Sequence, residues 1–382
     1  MKHFSSTFVK QHTHNRARTL HVVTAHGEFN TPTFMPVATR AFVNLMSPEQ
    51  LHTAGSQIIL GGNTYHMLCT PGMEVIRQAG GMHQFMNWHG PMLTDSGGFQ
   101  VHSLSKNKKL CRIDEHGAHF RHPRTHETIY MTPTVSLETQ KIIGADIIMA
   151  FDQCTPDIDD KPLVQSIMEK THRWLRESKD YHDQHPQSIY GYQQALFGII
   201  QGGFFQDLRL ESTQFVVDMA LDGIAIGGES IGFDMKKTVE IVNWIHDLLP
   251  KQKVRYTMGV GLHPQDLIDV AAAGIDIFDC VAPTRNARHG SLYCGEIIKE
   301  DNWVKFVDSA PRGRINIKKS IYALDDKPIM ENCECHTCQH YSRSYLHYLF
   351  KEKFVVFSNL ACTHNIHVMH AVCAAMRECI LN

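Results

Sequence analysis

Net charge is the first thing this sequence lacks. Lys and Arg number 37 against 39 Asp and Glu, a formal charge of -2 at pH 7. No globally basic surface is therefore available to hold a nucleic acid, and any contact with RNA or DNA has to come from a local basic patch. Long apolar runs are missing as well: no stretch approaches the roughly eighteen residues that a membrane span needs, and the first ten residues hold no apolar core of a secretory signal. Eleven cysteines are present, but they are not spaced as a secreted disulfide framework. These absences set the expectation of a soluble, cytoplasmic protein with no membrane partner. Low-complexity segments and a clean internal repeat are also wanting.

What is present is an ordinary globular composition, 43% hydrophobic and 20% charged, over 382 residues, enough chain to bury a large core. Short apolar or β-rich runs recur at residues 33–36, 57–60, 92–94, 146–151, 197–200, 223–226, 255–258 and 275–278. Each is followed by a loop and then by a stretch with helical features. Ser47-Pro-Glu-Gln50, Thr134-Val-Ser-Leu-Glu138 and His263-Pro-Gln-Asp266 place a capping residue or a proline where helices would begin. Eight strands alternating with helices predict an α/β protein built as a (β/α)8 barrel. Residues 110–130 read as a β-ribbon inserted in a barrel loop, with Asp114-Glu-His-Gly117 as its turn. The expected division is a barrel catalytic domain over residues 1–290 and a C-terminal zinc-binding subdomain over residues 291–382, packed on the barrel.

In such a barrel the chemistry lies at the C-terminal ends of the strands. Those ends are loaded with glycine and polar groups: Gly61-Gly-Asn63, Asp95-Ser-Gly-Gly98, Asp152-Gln-Cys154, Gln201-Gly-Gly203, Gly227-Gly-Glu229, Gly259-Val-Gly261 and Asp279-Cys280. One Gly-Gly makes a tight turn and one Asp caps a helix without further meaning. Three aspartates at the same structural position, with paired glycines that let backbone N–H groups approach a flat ligand, argue for a site. Carboxylates facing one pocket suit attack at an anomeric carbon by one and proton transfer by another. Arg285 and Arg288, just beyond Asp279, suggest an anionic substrate.

Cys333-Glu-Cys335-His-Thr-Cys338 supplies three soft ligands within six residues, a zinc signature that needs a fourth. His364 is the choice, with Cys362 and His347 as rivals. Four protein ligands leave no open position, so the zinc would be structural, one per subunit.

Taken together, Thr31-Pro-Thr-Phe-Met-Pro-Val37, Leu93-Thr-Asp-Ser-Gly-Gly-Phe-Gln100, Phe151-Asp-Gln-Cys154, Gly198-Ile-Ile-Gln-Gly-Gly203, Ala225-Ile-Gly-Gly228, Met258-Gly-Val-Gly261 and Phe278-Asp-Cys-Val-Ala-Pro-Thr-Arg285 resemble, in this order, the bacterial-type tRNA-guanine transglycosylases, the queuine tRNA-ribosyltransferase family. The resemblance covers nearly the whole chain. It implies a TIM barrel with a zinc-bearing insertion. It also implies exchange of guanine at the anticodon wobble position, G34, of G-U-N tRNAs for a 7-deazaguanine base in queuosine biosynthesis. The base would be preQ1 by default, with queuine as the rival. By resemblance Asp279 is the nucleophile that forms a covalent bond to the ribose, and Asp95 the general acid and base. Asp152 would read one edge of the base, Gln201 and the Gly228 N–H its carbonyl oxygen, and Cys154 would line the pocket. Phe99 and Met258 would sandwich the ring, while Arg285 and Arg288 hold the anticodon loop. A homodimer is implied as well.

Four departures from the family pattern stand out. Glu229-Ser-Ile-Gly-Phe233 replaces the usual Leu-Ala-Val-Gly-Glu, Gln153 replaces a glutamate, and Asn44 and Leu262 stand where lysines are common. Glu229 could pair with the protonated amine that both candidate bases carry. A non-catalytic tRNA-binding partner subunit is the alternative reading, and a barrel hydrolase of a small substrate a third; the first would be expected to have lost catalytic carboxylates.

Overall fold

The structure, a computed structural model, describes residues 3–382. Its centre is a parallel barrel. Strands Ile59–Asn63, Met92–Asp95, Ile147–Met149, Ala195–Ile200, Gly223–Ile226, Val254–Thr257 and Ile277–Asp279 pair in that order. The barrel closes through a first strand in two pieces: Thr33–Met35 pairs with Ile277–Asp279, and Val37–Ala38 pairs with residues 60–61. Pro36 lies at the break, where a residue without an N–H cannot serve the ladder. Every expected strand is present, displaced at most by a few residues at its ends. Side chains buried on both faces, as in the wholly buried Ala195–Ile200, explain why these strands read as continuous apolar runs and not as alternating ones.

The capping signals at Ser47 and His263 hold. Ser47 and Gln50 form a reciprocal capping box ahead of Pro48–Thr53, and His263 caps Pro264–Ala272. The start read at Thr134 lies slightly earlier: the helix is Pro133–Ile143, and Thr132 accepts the Val135 N–H at 3.2 Å. The inserted ribbon has three strands, Cys111–Ile113, Ala118–Arg121 and Thr128–Met131, with the Asp114 turn where expected. Phe120, Met131 and Tyr65 bury it against Phe151 and Trp174.

An N-terminal antiparallel sheet, Ser5–Gln11, Arg18–Thr24 and Gly27–Asn30, was not anticipated. Its Leu20, Val22 and Phe29 share one buried cluster with Ile58, Ile147, Phe197 and Val254, so it seals the end of the barrel opposite the polar strand ends. Arg18 locks the seal. Its buried guanidinium bonds Asp276 through Nε at 2.9 Å and Nη2 at 2.6 Å and donates to the carbonyls of Lys251 and Lys253. Desolvating such a charge is tolerable only with this pairing.

After the eighth strand come two small antiparallel pairs, Ser291–Tyr293 with Arg314–Asn316 and Gly295–Glu300 with Trp303–Asp308. Helices His336–His340, Arg343–Lys351 and Val355–Leu381 follow. The last helix carries His364 and also lies along the barrel: Arg377 donates to Pro32 O at 2.6 Å, and His370 meets Ser56 Oγ at 2.8 Å. No helix among the described residues is long and apolar enough to cross a membrane.

Candidate active site and metal centre

A cavity of about 490 Å³ opens at the C-terminal strand ends, lined by Asp95, Asp152 and Asp279. The size suits one flat bicyclic ligand. Strand Ile277–Asp279 delivers Asp279 as its last residue. Tyr256, one strand over, donates its hydroxyl to Asp279 Oδ1 at 2.6 Å, and the Gly259 N–H reaches the same oxygen at 3.1 Å. Both donors fall on Oδ1, which orients the carboxylate and keeps Oδ2 outside their clamp. Burial raises the Asp279 carboxyl to about 6, although those two bonds pull it down.

Asp95 ends its strand beside a bulge. Between the registered pairs Leu60↔Leu93 and Asn63↔Asp95 the second strand spends one residue more than the third, at Gly61-Gly62, where Gly62 has φ +80°. The bulge brings Asn63 to Asp95: its Nδ2 donates to Asp95 Oδ2 at 2.6 Å and to Gln100 Oε1 at 2.5 Å, and the Gly97 N–H donates to Asp95 Oδ1 at 3.0 Å. Burial still raises the Asp95 carboxyl above its ordinary range.

Asp152 is held by Ser96 Oγ at 3.2 Å and Gln201 Nε2 at 2.8 Å. Gln201 Oε1 accepts from Thr155 N at 3.0 Å and Thr155 Oγ1 at 2.8 Å, which fixes the amide's orientation. Burial first, and then the Asp95 charge, lift Asp152 to about 7. Burial thus raises all three carboxylates around one cavity, Asp152 to about 7 and Asp279 to about 6, an environment suited to acid and base chemistry in one place.

Cys154 lines the same cavity, and burial raises its thiol, so it is a neutral wall. Phe99, half exposed near the start of helix Gly98–Ser105, and Met258, just past strand Val254–Thr257, also border the cavity. Gly227 and Gly228 do too; a Cβ on Gly228, with φ +132°, would stand 2.7 Å from Arg209 Nη2. Arg285 reaches the cavity from helix Ala282–Arg288, whereas Arg288 stands outside it and donates to Thr284 O at 3.2 Å. Glu229 is outside as well. Its carboxylate is taken by Lys106 Nζ at 2.8 Å and the Asp157 N–H at 3.0 Å, and these bonds, the Lys106 bond foremost, hold it down at about 2. The sequence allows this carboxylate to pair with a substrate amine; the structure directs its oxygens at protein donors instead.

Two structural residues escaped the sequence reading. Tyr256 shares its strand face with Met258, two residues on, a signal that alternation could have supplied. Arg209 had none. It is fully buried in helix Gln206–Asp218 and binds the carbonyls of Gly203, Ile200 and Gly227 at 2.8, 3.2 and 2.8 Å, tying two glycine loops of the cavity together.

Cys333, Cys335, Cys338 and His364 converge, all buried. His364 Nδ1 lies 3.7, 3.5 and 3.4 Å from the three sulfurs. Around a tetrahedral zinc with Zn–S about 2.3 Å and Zn–N about 2.0 Å, S and N ligand atoms stand about 3.5 Å apart. His364 Nε2 meets Tyr293 O at 2.8 Å, which leaves Nδ1 as the free ligand atom. The four residues therefore fit the metal. Neither rival joins them: the Cys362 thiol faces Thr284 O, and His347 Nδ1 contacts Ile317 O at 2.7 Å.

The model of the family described as queuine tRNA-ribosyltransferase matches residues 13–382. Proteins bearing that name from Synechococcus elongatus, Nitrosomonas europaea and Staphylococcus aureus are 42%, 42% and 43% identical to this chain, over 98%, 93% and 94% of it and 90%, 88% and 88% of their own lengths. With the barrel, the carboxylate-lined cavity and the Cys3His cluster in place, the chain belongs to the queuine tRNA-ribosyltransferase family.

Proposed function

We propose that this protein is a tRNA-guanine transglycosylase that replaces guanine at G34 of G-U-N anticodons with a 7-deazaguanine base, through a covalent bond between Asp279 and the ribose. The observation that carries the reading is the single cavity in which Asp279, Asp95 and Asp152 meet. Asp279 Oδ2 attacks C1′, the C1′–N9 bond breaks, and its electron pair leaves with guanine, which takes a proton from Asp95. The incoming base then loses its N9 proton to Asp95 and displaces Asp279 from C1′. Two displacements at one carbon retain the configuration. Asp152, Gln201 and the Gly228 N–H would read the base edge while Phe99 and Met258 cover its faces. The non-catalytic partner subunit is disfavoured by the presence of all three carboxylates. Incorporation of labelled guanine into a G-U-N tRNA is expected, and Asp279→Asn should abolish it with the fold intact; a parent protein that incorporates none would refute the proposal.

PreQ1 is the default incoming base. Queuine is the second reading, favoured by a specific observation: the apolar Phe233, 74% exposed, stands at the border of the cavity. Direct competition of the two bases on one tRNA decides between them. Arg285, Arg288, Lys318 and Lys319 would contact phosphates, so tRNA affinity should fall steeply with salt. Zinc would be structural and the site of action cytoplasmic. A homodimer is supported by an exposed aromatic row: Tyr341 stacks on Tyr345 at 5.5 Å, and Tyr345 and Tyr348 are 43% and 52% exposed. Sedimentation at micromolar concentration tests it.

A further inference from the structure

Glu229 is flanked by residues that line the cavity, Gly228 before it and Ile231 after it, yet its own side chain does not. Its two oxygens are divided between neighbours. Oε1 takes Lys106 Nζ at 2.8 Å and stands 3.2 Å from His102 Nε2; Oε2 accepts the Asp157 N–H at 3.0 Å. The Glu229 N–H donates to Thr155 O at 2.9 Å, and Asp157 is clasped in turn by Lys237 Nζ at 2.9 and 2.8 Å. His102 belongs to helix Gly98–Ser105 and Lys106 caps its C-terminus; the same helix presents Phe99 and Gln100 to the cavity. Asp157 follows Asp152 and Cys154 on another strand-end loop. One side chain therefore joins three segments, each of which contributes to the cavity wall.

The geometry points to Glu229 as a positioning residue, an ionic tether that holds the Phe99 helix and the Asp157 loop against the Gly228 segment and so sets the width of the base cavity. The consequence for base binding rests on the transglycosylase reading; the tether itself does not. A carboxylate with all its partners on the protein acts on any base alike, through the spacing between the Phe99 ring and the Gly228 edge. A carboxylate that read a substituent amine would act only on bases that carry one. Guanine carries none at that position, and this separates the two roles.

The test uses Glu229→Gln, which removes the charge while keeping an acceptor for the Asp157 N–H, and Lys106→Met, which breaks the ion pair from the helix side. Each should raise KM for guanine roughly threefold to tenfold with little change in kcat, and the double variant should be no worse than either single one, as expected of two ends of one interaction. Limited trypsin digestion supplies a readout independent of activity: Lys108 and Lys109 follow directly on the tethered helix and are exposed, so both variants should be cut there faster than the parent. An unchanged guanine KM in the two variants overturns the proposal, whether or not cleavage quickens, and so does cleavage at the parental rate. A parent protein with no exchange activity would sink the transglycosylase reading alone, while the digestion still decides the tether.

Discussion

Tyr256 shows how one hydroxyl sets the working range of a carboxylate. Burial raises Asp279 to about 6, and the 2.6 Å bond from Tyr256 opposes that rise by stabilising the charged form. Removing the donor with Tyr256→Phe should lift Asp279 further. The acid limb of the exchange profile then moves to higher pH, and kcat/KM near pH 6 falls roughly tenfold, the scale of one hydrogen bond to a charged group. A limb that stays in place would show that Asp279 does not govern it. Asp152, lifted to about 7 chiefly by burial, bears on stability with a defined sign. From about pH 4 to 7 the folded state keeps a proton that the unfolded chain has released, so this group's contribution is full below about pH 4 and is lost as pH rises through 7. Asp152→Asn escapes that loss, and its Tm relative to the parent should climb between pH 5 and 8 in thermal melts.

Helix Gly98–Ser105 starts as close to Asp152 as backbone can. A Cβ built on Gly98 would lie 1.8 Å from Asp152 Oδ1, so Gly98→Ala must push the carboxylate or the helix aside. Base binding should fall at least tenfold while zinc content stays unchanged, which guanine KM and metal analysis would read together. At this scale much was legible beforehand. Each barrel strand showed as an apolar or β-rich run, since a strand buried on both faces has little polar alternation to blur it. Ser47 and His263 announced their helices through side-chain chemistry confined to a few consecutive residues. The N-terminal sheet passed unread: Ser5–Gln11 alternates exposed with half-buried positions and buries no face of its own, and the role of Arg18 depends on Asp276, far along the chain.

The Cys3His cluster ties the chain end to the whole. Helix Val355–Leu381 supplies His364 to the cluster and reaches the barrel through Arg377 and His370, so removing a metal held there should loosen more than the cysteine loop. Cys335→Ser is expected to abolish bound zinc and lower Tm by several degrees, since metal binding and folding share one free energy; unchanged metal content would reject the site.

Sequence by itself determined the alternation of strands and helices, the aspartates at the strand ends and the three-cysteine ligand set, because each is written in neighbouring residues whose spacing has a direct physical reading. Tertiary structure alone decided the rest. It selected His364 over Cys362 and His347, since only its Nδ1 points at the three sulfurs. It revealed Arg209 beneath the glycine loops and Tyr256 on Asp279. It also turned Glu229 from the cavity toward Lys106, because the direction of a side chain is set by partners that folding brings from distant parts of the chain, and a carboxylate settles where the donors are.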